Sequence, residues 1–120
     1  MKMKVKELIK KSLLLLGYTD GNGNSFDSRF QAVSQNAVNF ILADLTHCLG
    51  RDDYKDIKSL EDEISMPDRV IYDVMPYGVA SFIAESIGDG DKQQYFAAMY
   101  NQKRKSVTYE SSVQDVIPVP

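Results

Sequence analysis

The sequence has one cysteine, Cys48, one histidine, His47, and no tryptophan. A single cysteine excludes an intrachain disulfide and any zinc cage built from thiolates, and it suits a chain made in a reducing cytosol. Neighbours on a helix point about 100° apart, so His47 and Cys48 cannot share one metal. A buried thiol beside a surface imidazole accounts for both. Without a Gly-x-Ser-x-Gly elbow there is no visible nucleophilic triad, and acid–base work would fall to carboxylates. Long apolar runs are missing as well. The best candidate, Leu13-Leu14-Leu15-Leu16, falls far below the roughly 18–20 residues of a membrane helix. Met1-Lys2-Met3-Lys4 has the basic start of a signal peptide, but Glu7, Lys10 and Lys11 interrupt the apolar stretch after it and no small-residue cleavage site appears. Secretion is therefore not expected. Positive charge is not in excess either: 14 basic against 17 acidic residues leave −3, which argues against a general nucleic-acid binder. No phosphate-loop or dinucleotide fingerprint is present, and Gly21-Asn22-Gly23 reads as a turn. The expectation is a protein that is not an enzyme and takes no cofactor and no metal.

What is present suits one small domain. The chain has 120 residues, 43% hydrophobic and 26% charged, the balance of a folded globular protein with a modest core. Val5, Leu8, Ile9, Leu13 and Leu16 are spaced i, i+3/i+4 and predict a first helix with one buried face. Leu14 and Leu15 widen that stripe toward a second neighbour, and Gly17 stops the helix. Residues 18–25 are turn-rich. A second helix is expected from Asp27 to Leu49, with Phe30, Val33, Ala37, Phe40, Ile41, Leu45 and Cys48 on its apolar side. Residues 51–66 are acidic and irregular, with Ile57, Leu60 and Ile64 spaced to pack inward, as an extended segment or a helical turn. Met66-Pro67 restarts the helix, and Pro76 is expected to kink or divide it. Val79, Ala80, Ile83 and Ile87 line the next helix. After Gly88-Asp89-Gly90, Asp91 and Gln94 resemble a capping box for a last helix with Tyr95, Phe96, Met99 and Tyr100 on its apolar face. Lys103, Arg104 and Lys105 suit its negative end. The fold class is thus all-α: a small four- to five-helix bundle over residues 1–105, with an extended C-terminal arm over 106–120.

Three charged features compete for a role. Asp20, Asn22 and Asn24 match the first, third and fifth positions of a calcium loop. Ser25 then replaces the required glycine and Gln31 the bidentate glutamate, so a plain turn is expected. Residues 44–73 carry a net −5, including Asp52, Asp53 and Asp56, while residues 2–11 carry a net +4, including Lys4, Lys10 and Lys11. Blocks of opposite sign suggest head-to-tail pairing between subunits, with charge setting register more than affinity. The last two helices also admit a helix-turn-helix reading, since Gln93, Gln94, Asn101, Gln102, Lys103, Arg104 and Lys105 sit on the second. The aromatic content of that helix and the acidic domain weigh against it. A small helical DNA-binding or regulatory protein is the alternative function.

Four stretches, in order, resemble one family. They are Ser59-Leu60-Glu61-Asp62-Glu63-Ile64-Ser65-Met66-Pro67, Val74-Met75-Pro76-Tyr77-Gly78-Val79-Ala80, Gly88-Asp89-Gly90-Asp91 and Tyr95-Phe96-Ala97-Ala98-Met99-Tyr100-Asn101-Gln102. Together they are similar to the head-tail connector, or head-completion adaptor, proteins of long-tailed bacteriophages. That family often shows a leucine-proline-tyrosine-glycine-hydrophobic-alanine step; here Met75 stands where leucine is common. The similarity spans residues 57–105, and the first 50 residues agree only in helix order. The resemblance implies a structural protein of the virion neck, made in the bacterial host cytoplasm, with about twelve copies in a ring. Its partners would be the portal protein, further copies of itself, a downstream neck or tail-completion protein and passing double-stranded DNA, with no membrane. It implies portal contacts from Tyr100, Lys103, Arg104, Lys105, Val107, Tyr109, Val113, Val116 and Ile117. It transfers no catalytic residues.

Overall fold

A computed structural model describes residues 2–17 and 31–107. The helical expectation holds: four α-helices build the core, α1 (Val5–Leu16), α2 (Gln31–Cys48), α3 (Met75–Ser86) and α4 (Gly90–Arg104). Two three-residue strands, β1 (Lys2–Lys4) and β2 (Glu63–Ser65), pair antiparallel: β2 lies in the stretch expected to be extended or a helical turn, whereas β1 and the pairing were not expected. Met3 opposes Ile64, while Lys2 faces Ser65 and Lys4 faces Glu63. Ile64 is buried and Met3 half-buried, whereas Lys2, Lys4, Glu63 and Ser65 are exposed. The clasp thus has one core side and one solvent side, as period-two alternation requires.

The chain runs from β1 into α1 without a loop. Lys4 supplies no side-chain cap. The Val5 and Lys6 N–H groups instead donate to the carbonyls of Asp62 (2.8 Å) and Leu60 (3.0 Å), so the approach to β2 caps α1. Val5, Leu8, Ile9, Leu13 and Leu16 are all buried, as their spacing predicts. Leu14 is not part of that face: it is 65% exposed, and Leu15 is exposed too. Gly17 ends the helix at φ 80°, a left-handed conformation that costs glycine nothing.

On α2, Ala37, Ile41 and Leu45 are buried with Val38 and Leu42, but Phe40 is 65% exposed and stacks on Phe82 of α3 at 5.5 Å. The part of the expected helix before Gln31, including Phe30, lies outside the described residues. The acidic stretch after α2 is tied down by Asn39. Its Oδ1 accepts from the Ile57 N–H at 2.7 Å and its Nδ2 donates to the Ile57 carbonyl at 3.4 Å, which seats Ile57 in the core.

Pro76 divides the stretch as expected, with α3 starting at Met75 and the proline in its first turn, but what precedes it is not a regular α-helix. A π-helical turn at Val70–Val74 runs directly into α3, with the Met75 N–H donating to the Val70 carbonyl. In a regular α-helix the proline ring would crowd the Tyr72 carbonyl and leave it without a donor. The wider turn lies where that conflict would fall. α3 is the central element and packs on α1, α2 and α4. Its Gly78 permits the closest approach: a Cβ there would lie 2.5 Å from Ile41 Cδ1 and 2.9 Å from Tyr100 Cδ1. The α4 cap also differs from expectation. Asp89, not Asp91, accepts from the Lys92 N–H at 3.1 Å. Tyr95 is 58% exposed, and Ile87 of the preceding turn is exposed as well, while Phe96 and Tyr100 face the core.

Candidate interaction site

Two grooves flank the clasp, one beside each strand. The groove beside β1 is lined by Lys2, Met3, Lys4 and, from α1, Glu7, Lys10, Lys11 and Leu14, closed by Tyr72 of the π turn. The Lys11 ammonium lies 5.2 Å from the Tyr72 ring centroid, a cation–π contact. Four lysines against one glutamate make this groove basic, and exposed Leu14 and Tyr72 make it partly apolar. The groove beside β2 has the opposite sign. Leu42, Ile57, Ile64 and Met66 form its apolar floor, and Asp53, Asp56, Asp62 and Glu63 outnumber Arg51 and Lys55 around it. Tyr54 stands in this wall and donates its hydroxyl to Asp56. Burial and the Asp56 carboxylate together push that phenol up to about 12.

Part of the charge complementarity between the two blocks is satisfied within one chain. Lys4 and Lys6 both reach Glu61, at 3.0 and 2.9 Å. All three side chains stay open to solvent, so these pairs orient the strands' approach more than they stabilise the fold. Lys10, Lys11, Asp52, Asp53 and Asp56 are left at the surface, with Lys10 and Lys11 partly covered.

The residues expected to contact a portal divide into three groups. Tyr100 and Arg104 turn inward. The Tyr100 hydroxyl donates to Asp44 Oδ2 at 2.6 Å, and Arg104 donates through Nε and a terminal nitrogen to the same carboxylate at 2.5 and 2.7 Å. Arg104, opposed by partial burial and joined by Tyr100, holds the Asp44 carboxyl below the usual carboxylate range. Burial and the carboxylate raise the Tyr100 phenol. These groups latch α4 onto α2. Val107 is buried too, and Arg69 donates to the Ser106 hydroxyl and carbonyl, so the first two residues of the expected arm belong to the folded domain. Lys103 pairs with Asp73 at 2.8 Å and covers the Tyr77 ring at 4.8 Å. Lys105 is exposed. Tyr109, Val113, Val116 and Ile117 lie outside the described residues, as does the loop with Asp20, Asn22 and Asn24.

His47 is exposed, and burial raises the Cys48 thiol. Among the described residues no group of three or more His, Cys, Asp or Glu side chains is placed to hold a metal ion, and no helix is long and apolar enough to cross a membrane. Sequence reasoning missed the Asp44 latch, the Asn39 clamp and the role of Tyr72. The latch had a signal: Tyr100 and Arg104 are four apart and share a helix face, while Asp44 interrupts an apolar stretch of α2. No family model matches this chain, and no curated protein or solved structure shows significant similarity to it.

Proposed function

We propose that this chain is a structural assembly protein: a head-tail adaptor whose copies stand side by side in a ring between portal and tail. The observation that carries the reading is the pair of oppositely charged grooves on the two edges of one clasp. A ring closes through a heterologous contact, which needs two different, mutually complementary faces on each subunit. Like-charged faces repel, so the two grooves favour head-to-tail contact over symmetric pairing. The sequence resemblance over residues 57–105 supplies the setting. In that setting the partners are portal protein, further copies of this chain, a downstream neck protein and DNA passing without sequence readout. The adaptor sits in the virion neck.

The packing gives the family-like step a physical meaning. Pro76 follows the π turn, Tyr77 receives Lys103, and Gly78 lets α2 and α4 close on α3. Such residues shape a scaffold and perform no chemistry. The DNA-reading alternative has less support, because Arg104 and Lys103 are both engaged by carboxylates of the same chain.

With Tyr100, Arg104 and Val107 engaged inside the domain, portal contact falls to Lys105 and to Tyr109, Val113, Val116 and Ile117. The full chain is expected to bind assembled portal protein from the same genome. A chain ending at Val107 loses that binding while its helical circular dichroism persists. A full-length chain that ignores portal and instead binds duplex DNA with a steep salt slope contradicts the reading.

A further inference from the structure

The clasp offers backbone as well as charge. The Val5 N–H donates to the Asp62 carbonyl, and Val5 and Asp62 continue the register in which Lys4 faces Glu63 and Met3 faces Ile64. Hydrogen-bonded and non-hydrogen-bonded pairs alternate in an antiparallel ladder. Met3 and Ile64 therefore exchange the ladder's hydrogen bonds, and the main-chain groups of Lys2 and Lys4 point away from β2. By the same alternation those of Glu63 and Ser65 point away from β1. The Lys4 carbonyl opens the hydrogen-bond ladder of α1, but among the described residues no main-chain bond outside the clasp engages the Lys4 N–H or the outward groups of Lys2, Glu63 and Ser65. Unpaired edges are templates for strand addition, and charge on them decides what may add.

We infer that β1 of one copy adds antiparallel to the outer edge of β2 of the next, giving a sheet continuous between subunits. This inference rests on the assembly reading and names its contact. The occupant follows from charge. Two β1 edges repel through Lys2 and Lys4, and two β2 edges repel through Glu63 and its acidic groove. Only β1 against β2 brings Lys4 of one copy opposite Glu63 of another, a favourable cross-strand pair. Every strand in such a sheet is antiparallel to its neighbours, so successive copies keep one orientation, as rotational symmetry demands.

Disulfide trapping tests the contact. In a Cys48→Ser background, chains with Lys4→Cys are mixed with chains carrying Glu63→Cys, concentrated and oxidised. Each chain holds one thiol, so a mixed dimer reports contact between copies. The mixed dimer is expected to dominate over either variant crosslinked to itself. Adding Ser65→Pro to the Glu63→Cys chain removes an outward N–H and leaves the ladder within the chain intact. Trapping then falls at least about tenfold, with circular dichroism unchanged. Absence of the mixed dimer, or a mixed dimer indifferent to Ser65→Pro (the result of simple strand exchange), overturns the inference. Portal binding is scored in parallel. Its retention when trapping fails leaves the adaptor reading standing, and its absence removes that reading independently.

Discussion

At the scale of single residues, Gly78 is where the sequence most tightly constrains the fold. Helix propensity alone favours alanine over glycine by about 1 kcal/mol in a helix interior. Here a Cβ would meet Ile41 at 2.5 and 2.9 Å and the Tyr100 ring at 2.9 Å. The isoleucine tip can move, but the tyrosine is held by its bond to Asp44. Overpacking of this kind typically costs about 1–3 kcal/mol, so Gly78→Ala is expected to destabilise despite the better propensity. Urea denaturation measures the difference, and a more stable variant would show that α2 and α4 do not close on this point. Other single-residue features were only partly legible. Periodicity placed Val5, Leu8, Ile9, Leu13 and Leu16 correctly but put Phe40 on the buried side. A regular stripe does not reveal where the neighbouring helix stops covering it. Asp89 and Asp91 both satisfy the capping preference, and the positive φ of Gly88 sets the turn that selects Asp89.

At the scale of elements, α4 is held by a polar latch as much as by apolar packing. Phe96 and Tyr100 are its only buried side chains among the described residues. The Asp44 carboxylate binds Tyr100 and Arg104 together, and Lys103 adds an exposed pair to Asp73. Asp44→Ala is expected to cost about 1–2 kcal/mol near neutral pH, discounted for partial exposure. The pH dependence has a definite sign. Because the folded carboxyl lies below its unfolded value, the latch stabilises fully above about pH 4 and is lost as pH falls through the folded value. The gap between wild type and Asp44→Ala in chemical denaturation therefore narrows below about pH 4; a gap constant with pH contradicts an ionised latch. The helices themselves were legible from apolar spacing. The stretch holding β2 was readable as extended, but β1 and its pairing were not, because Lys2-Met3-Lys4 has no β-branched residue and its partner lies about sixty positions away. Strand pairing of this kind is decided by tertiary context rather than propensity.

At the scale of the whole molecule, a core shared by four helices leaves a surface divided by charge. The opposite blocks at 2–11 and 44–73 were visible in the sequence. Their meeting at a two-stranded clasp, with a groove on either side, was not. Folding uses some of this complementarity internally, through Glu61 with Lys4 and Lys6, and leaves the rest at the two edges. Two unlike charged edges are what the proposed ring would require of each subunit. The most direct measurement is the number of copies of this chain per purified particle from its source lysate, read by quantitative mass spectrometry against the major capsid protein. The account predicts a ring-like number, about a dozen per particle. Absence of the chain from intact, tailed particles would contradict it.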